Sequence, residues 1–179
     1  VDAAVPGNHE FDRGLPFLEA ALARAAFPLT CANLVRRRGA TPAADTPWLP
    51  PFLLLERCVT DADGARHPLR LGVIGLLPPQ VAAWNRGRLG GLVARDMLEA
   101  ARAWVPRMRA AGAELVLALC HSGLDPRPAA PGMENAALHL AALPGIDAVV
   151  AGHQHRVFPG GAAPPHPAVA PDRGLVHGR

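Results

Sequence analysis

Three short histidine-bearing turns, each following directly on an apolar run of strand length, constrain this chain more than any other feature. They are Gly7-Asn8-His9-Glu10 after Val1–Val5, His121-Ser122-Gly123 after Glu114–Cys120, and Gly152-His153-Gln154-His155 after Ile146–Ala151. Beyond Glu114 the middle run is continuously apolar, as expected of a strand buried on both faces of a sheet. Helical patterns lie between the runs. Leu15–Ala26 carries Pro16 in its first turn, with Leu15, Leu18 and Leu22 at helical spacing. Arg95–Ala111 places Met97, Ala101, Trp104 and Met108 on one face; Pro106 is expected to kink it and Gly112 to cap it. A third helix is expected near Met133–Leu143. A short strand over Pro28–Leu34 leads into a Pro-rich loop, Arg36–Pro51. Phe52–Val59 and Leu69–Leu76 read as strands flanking the hairpin signal Asp61-Ala62-Asp63-Gly64. Strands alternating with helices, plus one hairpin, predict an α/β sandwich with helices packed over sheets of mixed direction. The Pro-, Gly- and Ala-rich tail beyond Pro159 suggests no element.

In such sheets, sites form beyond the carboxyl ends of strands. Asn8, His9, His121, His153 and His155 can therefore converge despite their separation in sequence. Neutral imidazole binds borderline metals well, and flanking glycines let the backbone turn sharply. On spacing alone two readings stay open: a metal site, or hydrogen-bonded structural histidines at strand ends. Cys120 reads as a buried thiol before it reads as a ligand, and Asp125 as a loop acid. Trp84 and Trp104 can both stack a base, although Trp104 sits on the apolar helix face and reads as core. His67, His166 and His177 lie in loops with no partner signal, His139 reads as a mid-helix surface or packing residue, and Trp48 in the Pro-rich loop is unassigned.

Composition excludes some classes. Of 179 residues, 50% are hydrophobic and 18% charged, the balance of a folded domain with a core. No apolar run approaches the roughly 18 to 20 residues of a membrane-spanning helix. The net charge is +3, and all 18 basic residues are arginine. Their one run, Arg36–Arg38, lies in the Pro-rich loop, so a nucleic-acid polymer is not an expected partner. Cys31, Cys58 and Cys120 are scattered without a CxxC, which favours buried free thiols and leaves pairing open.

Gly7–Asp12 (GNHEFD), followed in order by Cys31–Leu34 (CANL), His121–Gly123 (HSG) and Gly152–His155 (GHQH), resembles the calcineurin-like metallophosphoesterases, in particular their nucleotidase branch. The resemblance covers about residues 1 to 160. It implies the family's αββα sandwich, incomplete at the N-terminus, and two divalent metal ions, with Zn, Mn or Fe compatible with N/O ligands. Asn8, His121 and His153 match the ligands of the second ion, and His155 matches the residue that completes the first. His9 matches the catalytic histidine, which is not a ligand, and Asp12 the acid that orients it. The family also opens with Asp-x-His and then Gly-Asp, whose aspartate bridges the metals, and neither occurs here. The expectation is that both lie upstream of Val1. Residues 1–179 are then a partial catalytic domain, inactive alone and lacking the C-terminal domain that clamps the base. A non-catalytic metal-binding module is the other reading.

Gly75–Gln80 with Trp84, Glu134–Ala136 and Pro144–Gly160 resemble the periplasmic 2′,3′-cyclic-nucleotide 2′-phosphodiesterase/3′-nucleotidase group. The implied substrate is a small nucleotide phosphate ester, with 5′-nucleotidase activity as the alternative. The implied location is periplasmic or extracytoplasmic.

Overall fold

Helix and strand boundaries here are set by where backbone amides find partners. The computed structural model describes residues 1–159, 166–170, 173 and 175–177. Val1–Val5 makes one parallel bridge, Ala4 with Leu29, and not the expected strand. The amide of Ala4 donates to the Pro28 carbonyl and that of Thr30 to the Ala4 carbonyl. The next rung would need an N–H from residue 6, which is proline. A 3-10 turn over His9–Phe11 leads into α1 (Leu15–Leu22), which buries Leu15 and Leu18. This helix stops short of Ala26. Arg24 and Ala25 reach back only three residues, to Ala21 and Leu22, as the chain approaches Pro28.

The expected strand at Pro28–Leu34 is displaced to β1 (Leu34–Arg37). The preceding residues spend their amides on separate neighbours, Cys31 on the Pro50 carbonyl and Ala32 on that of Gly75. The expected loop Arg36–Pro51 instead holds part of β1, a 3-10 turn at Pro42–Ala44 and β2 (Thr46–Pro47). Next come β3 (Phe52–Thr60) and β4 (Arg66–Leu76), longer than the apolar run alone suggested. Their hairpin turns at Gly64 with φ +83°, and the Asp61 carboxylate accepts the amides of Asp63 and Ala65. A short helix, α2 (Val81–Trp84), and β5 (Val93–Ala94) follow. β1 lies between β2 and β5 in a small antiparallel sheet.

α3 (Met97–Ala110) starts where the Asp96 side chain accepts the Glu99 amide at 2.8 Å. It runs through Pro106. It ends at Gly112, φ +96°, with the Gly112 amide on the Arg109 carbonyl and the Ala113 amide on that of Met108, the paired bonds of a Schellman cap. β6 (Leu115–Cys120), α4 (Ala137–Ala141) and β7 (Ala148–Ala151) complete the larger sheet, in the order β3-β4-β6-β7. β3 and β4 are antiparallel, whereas β4, β6 and β7 are mutually parallel. In the tail, β8 (Val169–Ala170) pairs with β9 (Leu175–Val176).

α3 covers one face of the larger sheet. Met97, Leu98, Ala101, Val105 and Met108 pack on Ile74, Leu76, Val116 and Ala118. β6 is consequently not buried on both faces: Val116, Ala118 and Cys120 point into this core, while Leu115 is 43% exposed and Leu117 and Leu119 are half-buried. A second cluster joins α1 to the small sheet through Phe11, Leu15, Leu18, Leu34, Trp48, Leu77 and Val81. Trp48 also donates its indole N–H to Glu19. The buried Arg95 guanidinium bonds Asp45, Glu99 and the Gly39 carbonyl, tying the 39–45 loop to the start of α3. All three cysteines are free. Cys31 and Cys120 are buried as expected, but Cys58, on the outer hairpin, is exposed. Among the described residues, no helix is long and apolar enough to cross a membrane.

Candidate active site

Three parallel strands end level with one another. Leu76 pairs with Cys120, and Cys120 pairs with Ala151, so the segments leaving β4, β6 and β7 emerge along one edge. Asn33 pins the first of these exits. Its side-chain amide donates to the carbonyls of Leu77 and Arg95 and accepts the Leu77 amide, all within 3.0 Å.

His121 leaves β6 and reaches Asn8, with Nε2 2.9 Å from Oδ1, although the two residues are 113 positions apart. The contact requires glycine at position 7. A Cβ there would stand 2.6 Å from Cε1 of the His121 ring. The Gly7 amide donates to the Glu10 carboxylate at 2.6 Å. The His121 imidazole is held below its ordinary pKa, first by burial and then by His153; His9 and His155 add to the effect and Glu10 opposes it. Lowering the pKa favours neutral imidazole, the form that carries a lone pair for an ion.

His153 completes the cluster. Its ring centroid lies 5.1 Å from that of His121, and Trp84 stacks on it at 5.4 Å and 25°. Its Nε2 lies 2.9 Å from the Glu134 carboxylate. His153 and His155 occupy φ +71° and +53°, a left-handed region costly for residues other than glycine. Such strain persists where the surroundings hold it, and here they do. Gln154 accepts the Leu124 amide and fills the space where a Gly123 side chain would stand.

His9 stands apart on its 3-10 turn. Nδ1 is 2.9 Å from the Asp12 carboxylate, and the two side chains are 78% and 50% exposed. The structure therefore brings Asn8, His121 and His153 together, sets His9–Asp12 beside them, and leaves His155 within electrostatic reach of His121.

Donor type suits a borderline divalent cation. Two donors on one tetrahedral ion with bonds of about 2.0–2.1 Å lie about 3.4 Å apart, whereas Asn8 Oδ1 and His121 Nε2 are at the hydrogen-bond distance of 2.9 Å and must part to share an ion. The fit is to part of a site: among the described residues, no three or more His, Cys, Asp or Glu side chains are grouped to hold an ion. Cys120 is buried, and that burial pushes its thiol up to about 12, with the Ser122 hydrogen bond opposing. Asp125 is occupied by Arg127, which holds the carboxyl below its usual range. Trp104 packs on Phe52 in the core.

Four contributions escaped sequence reasoning: the Glu134 contact, the Trp84 stack, the Asn33 clamp and Glu10 under Gly7. The Glu134–Ala136 motif was the only signal for the first. The expected Met133–Leu143 helix shrinks to Ala137–Ala141 because the residues before it are claimed elsewhere. Ser122 Oγ donates to the Glu134 carbonyl and accepts the Ala136 amide, and the Asn135 side chain accepts the Gly123 amide.

No family model matches the chain. Over 154 residues, 86% of its length, it is 41% identical to a 2′,3′-cyclic-nucleotide 2′-phosphodiesterase/3′-nucleotidase of Haemophilus influenzae. It is 44% identical to the protein of the same name from Yersinia enterocolitica. The chain spans 23% of the length of each. The calcineurin-like phosphoesterase YfkN of Bacillus subtilis superimposes with a TM-score of 0.89 and 34% identity, over 99% of this chain and 52% of that one. A 5′-nucleotidase precursor from Thermus thermophilus superimposes with a TM-score of 0.63 and 26% identity, over 95% of this chain and 29% of that one. By these likenesses the chain has the calcineurin-like phosphoesterase fold.

Proposed function

We propose that the protein hydrolyses phosphate esters of nucleotides, taking 2′,3′-cyclic diesters and 3′-monoesters. The supporting observation is the convergence of Asn8, His121 and His153 beside an exposed His9–Asp12 pair. It occurs in a chain 41–44% identical, over 86% of its length, to three proteins named for those activities.

Asn8, His121 and His153 are the residues that would hold one divalent ion, Zn, Mn or Fe by donor chemistry, and His155 would serve a second. When bound, such ions supply positive charge for phosphoryl transfer. The protein's own groups do the rest. A carboxylate only accepts hydrogen bonds, so Asp12 fixes one hydrogen on Nδ1 of His9 and turns Nε2 to the substrate. In its protonated form His9 presents Nε2–H there, which donates to a charged phosphoryl oxygen or passes its proton to the departing ribose oxygen and leaves the ring neutral with its hydrogen on Nδ1. Its exposure suits a group that meets a ligand arriving from solvent. A periplasmic or extracytoplasmic location belongs to the same proposal.

The 5′-nucleotidase reading is kept as the alternative, favoured by the likeness to the Thermus thermophilus structure. The deciding assay compares turnover of 2′,3′-cyclic AMP, 3′-AMP and 5′-AMP by the purified full-length protein that contains residues 1–179, with Zn or Mn. Hydrolysis of the first two supports the proposal. Hydrolysis of 5′-AMP alone moves the protein to the alternative, and hydrolysis of none rejects both.

A further inference from the structure

We infer that Glu134 is a positioning residue: its carboxylate fixes the tautomer and ring plane of His153, so that Nδ1 is the atom His153 offers to an ion shared with Asn8 and His121. The inference rests on the proposed metal-dependent function and assigns a residue to which the sequence pointed only as part of a motif.

The chemistry begins with the 2.9 Å contact between His153 Nε2 and Glu134 Oε1. An ionised carboxylate accepts and cannot donate, so the hydrogen lies on Nε2 and the lone pair of neutral His153 lies on Nδ1. A histidine ligand whose other nitrogen is held by a carboxylate has its orientation and basicity set by that partner. Trp84 stacks on the same ring, so the plane is fixed by a second, independent contact.

What places Glu134 is the turn that carries His121. Ser122 is fully buried. Its hydroxyl donates to the Glu134 carbonyl at 2.8 Å and accepts the Ala136 amide at 2.7 Å. Its carbonyl accepts the Gly152 amide at 3.3 Å, next to His153. The Gly123 amide is bound by the Asn135 side chain at 3.0 Å. One buried serine thus ties the turns bearing His121, Glu134 and His153 into a single unit. This registers the two histidine rings to each other although they leave different strands. The left-handed backbone of His153, φ +71°, makes such support necessary, since nothing intrinsic to the residue favours it.

The test uses the full-length protein that contains residues 1–179, with three variants, Glu134→Ala, Glu134→Gln and His153→Ala, and two readouts independent of turnover. The first is ¹⁵N NMR of the His153 imidazole in the metal-free protein. The Nε2–H tautomer is expected in the wild type and in Glu134→Gln, whose side-chain oxygen still accepts, and a tautomer mixture in Glu134→Ala. The second is titration with Co(II) or Zn(II). Affinity is expected to fall about 10–100-fold in Glu134→Ala, with the Co(II) absorption altered, and to recover largely in Glu134→Gln. A wild-type His153 protonated on Nδ1 would overturn the inference. So would a Glu134→Ala protein that melts like the wild type and binds Co(II) equally well. If the wild type and His153→Ala both bind no ion, the proposed function fails while the tautomer result still decides the Glu134 contact.

Discussion

Gly7→Ala probes the tightest approach in the site. Gly7 is not at positive φ, so the backbone tolerates alanine and the cost is steric alone. The new methyl carbon would stand 2.6 Å from Cε1 and 2.8 Å from both nitrogens of His121. Ordinary carbon contacts begin near 3.5 Å, so the ring must recede by about 0.9 Å. Its main chain cannot follow, because the His121 amide is bound to the Leu76 carbonyl at the end of the β4–β6 ladder. The ring must therefore swing on its side-chain torsions, away from Asn8. An off-rotamer ring costs about 0.5–1.5 kcal/mol, and overpacking of this kind costs about 1–3 kcal/mol in total. The functional loss is larger. Ion–ligand distances tolerate only about ±0.2 Å, and a misplacement near 1 Å at a reacting site costs about 10²-fold in rate. Zn or Mn affinity, kcat on the cyclic diester, and chemical denaturation should be measured beside a control, Gly64→Ala. That residue has φ +83° with open space around it, so alanine there costs about 1–2 kcal/mol of backbone strain and leaves the site alone. If Gly7→Ala keeps metal affinity and rate within twofold of wild type, the Gly7–His121 approach does not control the site and the reasoning is refuted.

His9→Ala should lower kcat by about 10²–10⁴ with bound metal unchanged, whereas His153→Ala should lose metal as well; elemental analysis of both decides, and an emptied site in His9→Ala would reverse the assignment. Burial raises Cys31 to about 11 and Cys120 to about 12, from 9.0, so native alkylation at pH 8 should label Cys58 and spare the other two until the protein is unfolded. By the same linkage, thiols that ionise more readily when unfolded should make stability fall as pH rises from about 9 towards 12, measurable in urea melts. Arg95→Ala leaves the Asp45 carboxylate, 2% exposed, with the Gly39 amide but without its cationic partner and should cost about 3–5 kcal/mol; recovery in an Arg95→Ala/Asp45→Ala double variant would locate the cost in the uncompensated carboxylate.

The sequence alone determined what local chemistry can specify. Periodicity and turn residues located α3 with its Gly112 cap, the β3–β4 hairpin at Gly64, the two strand-to-turn junctions that carry His121, His153 and His155, and the Gly7 turn that carries Asn8 and His9. Those junctions are legible because an apolar run and the glycine-flanked turn that ends it are contiguous in the chain. The tertiary structure decided everything that depends on partners distant in sequence. Val1–Val5 failed to become a strand because Pro6 cannot make the second rung with Thr30. The Met133–Leu143 helix lost its first turns because Ser122 and Gly123 bind the backbone and side chains of residues 134–136. β6 reads as doubly buried from composition, yet the described residues pack α3 on one face only. The same distinction runs through the site. Histidine, asparagine and glycine at strand ends announce that a cluster can form. Only the level ends of β4, β6 and β7 place Asn8 2.9 Å from His121, aim Glu134 at His153 and lay Trp84 on its ring. These contacts join residues up to 113 positions apart, and no local pattern encodes them.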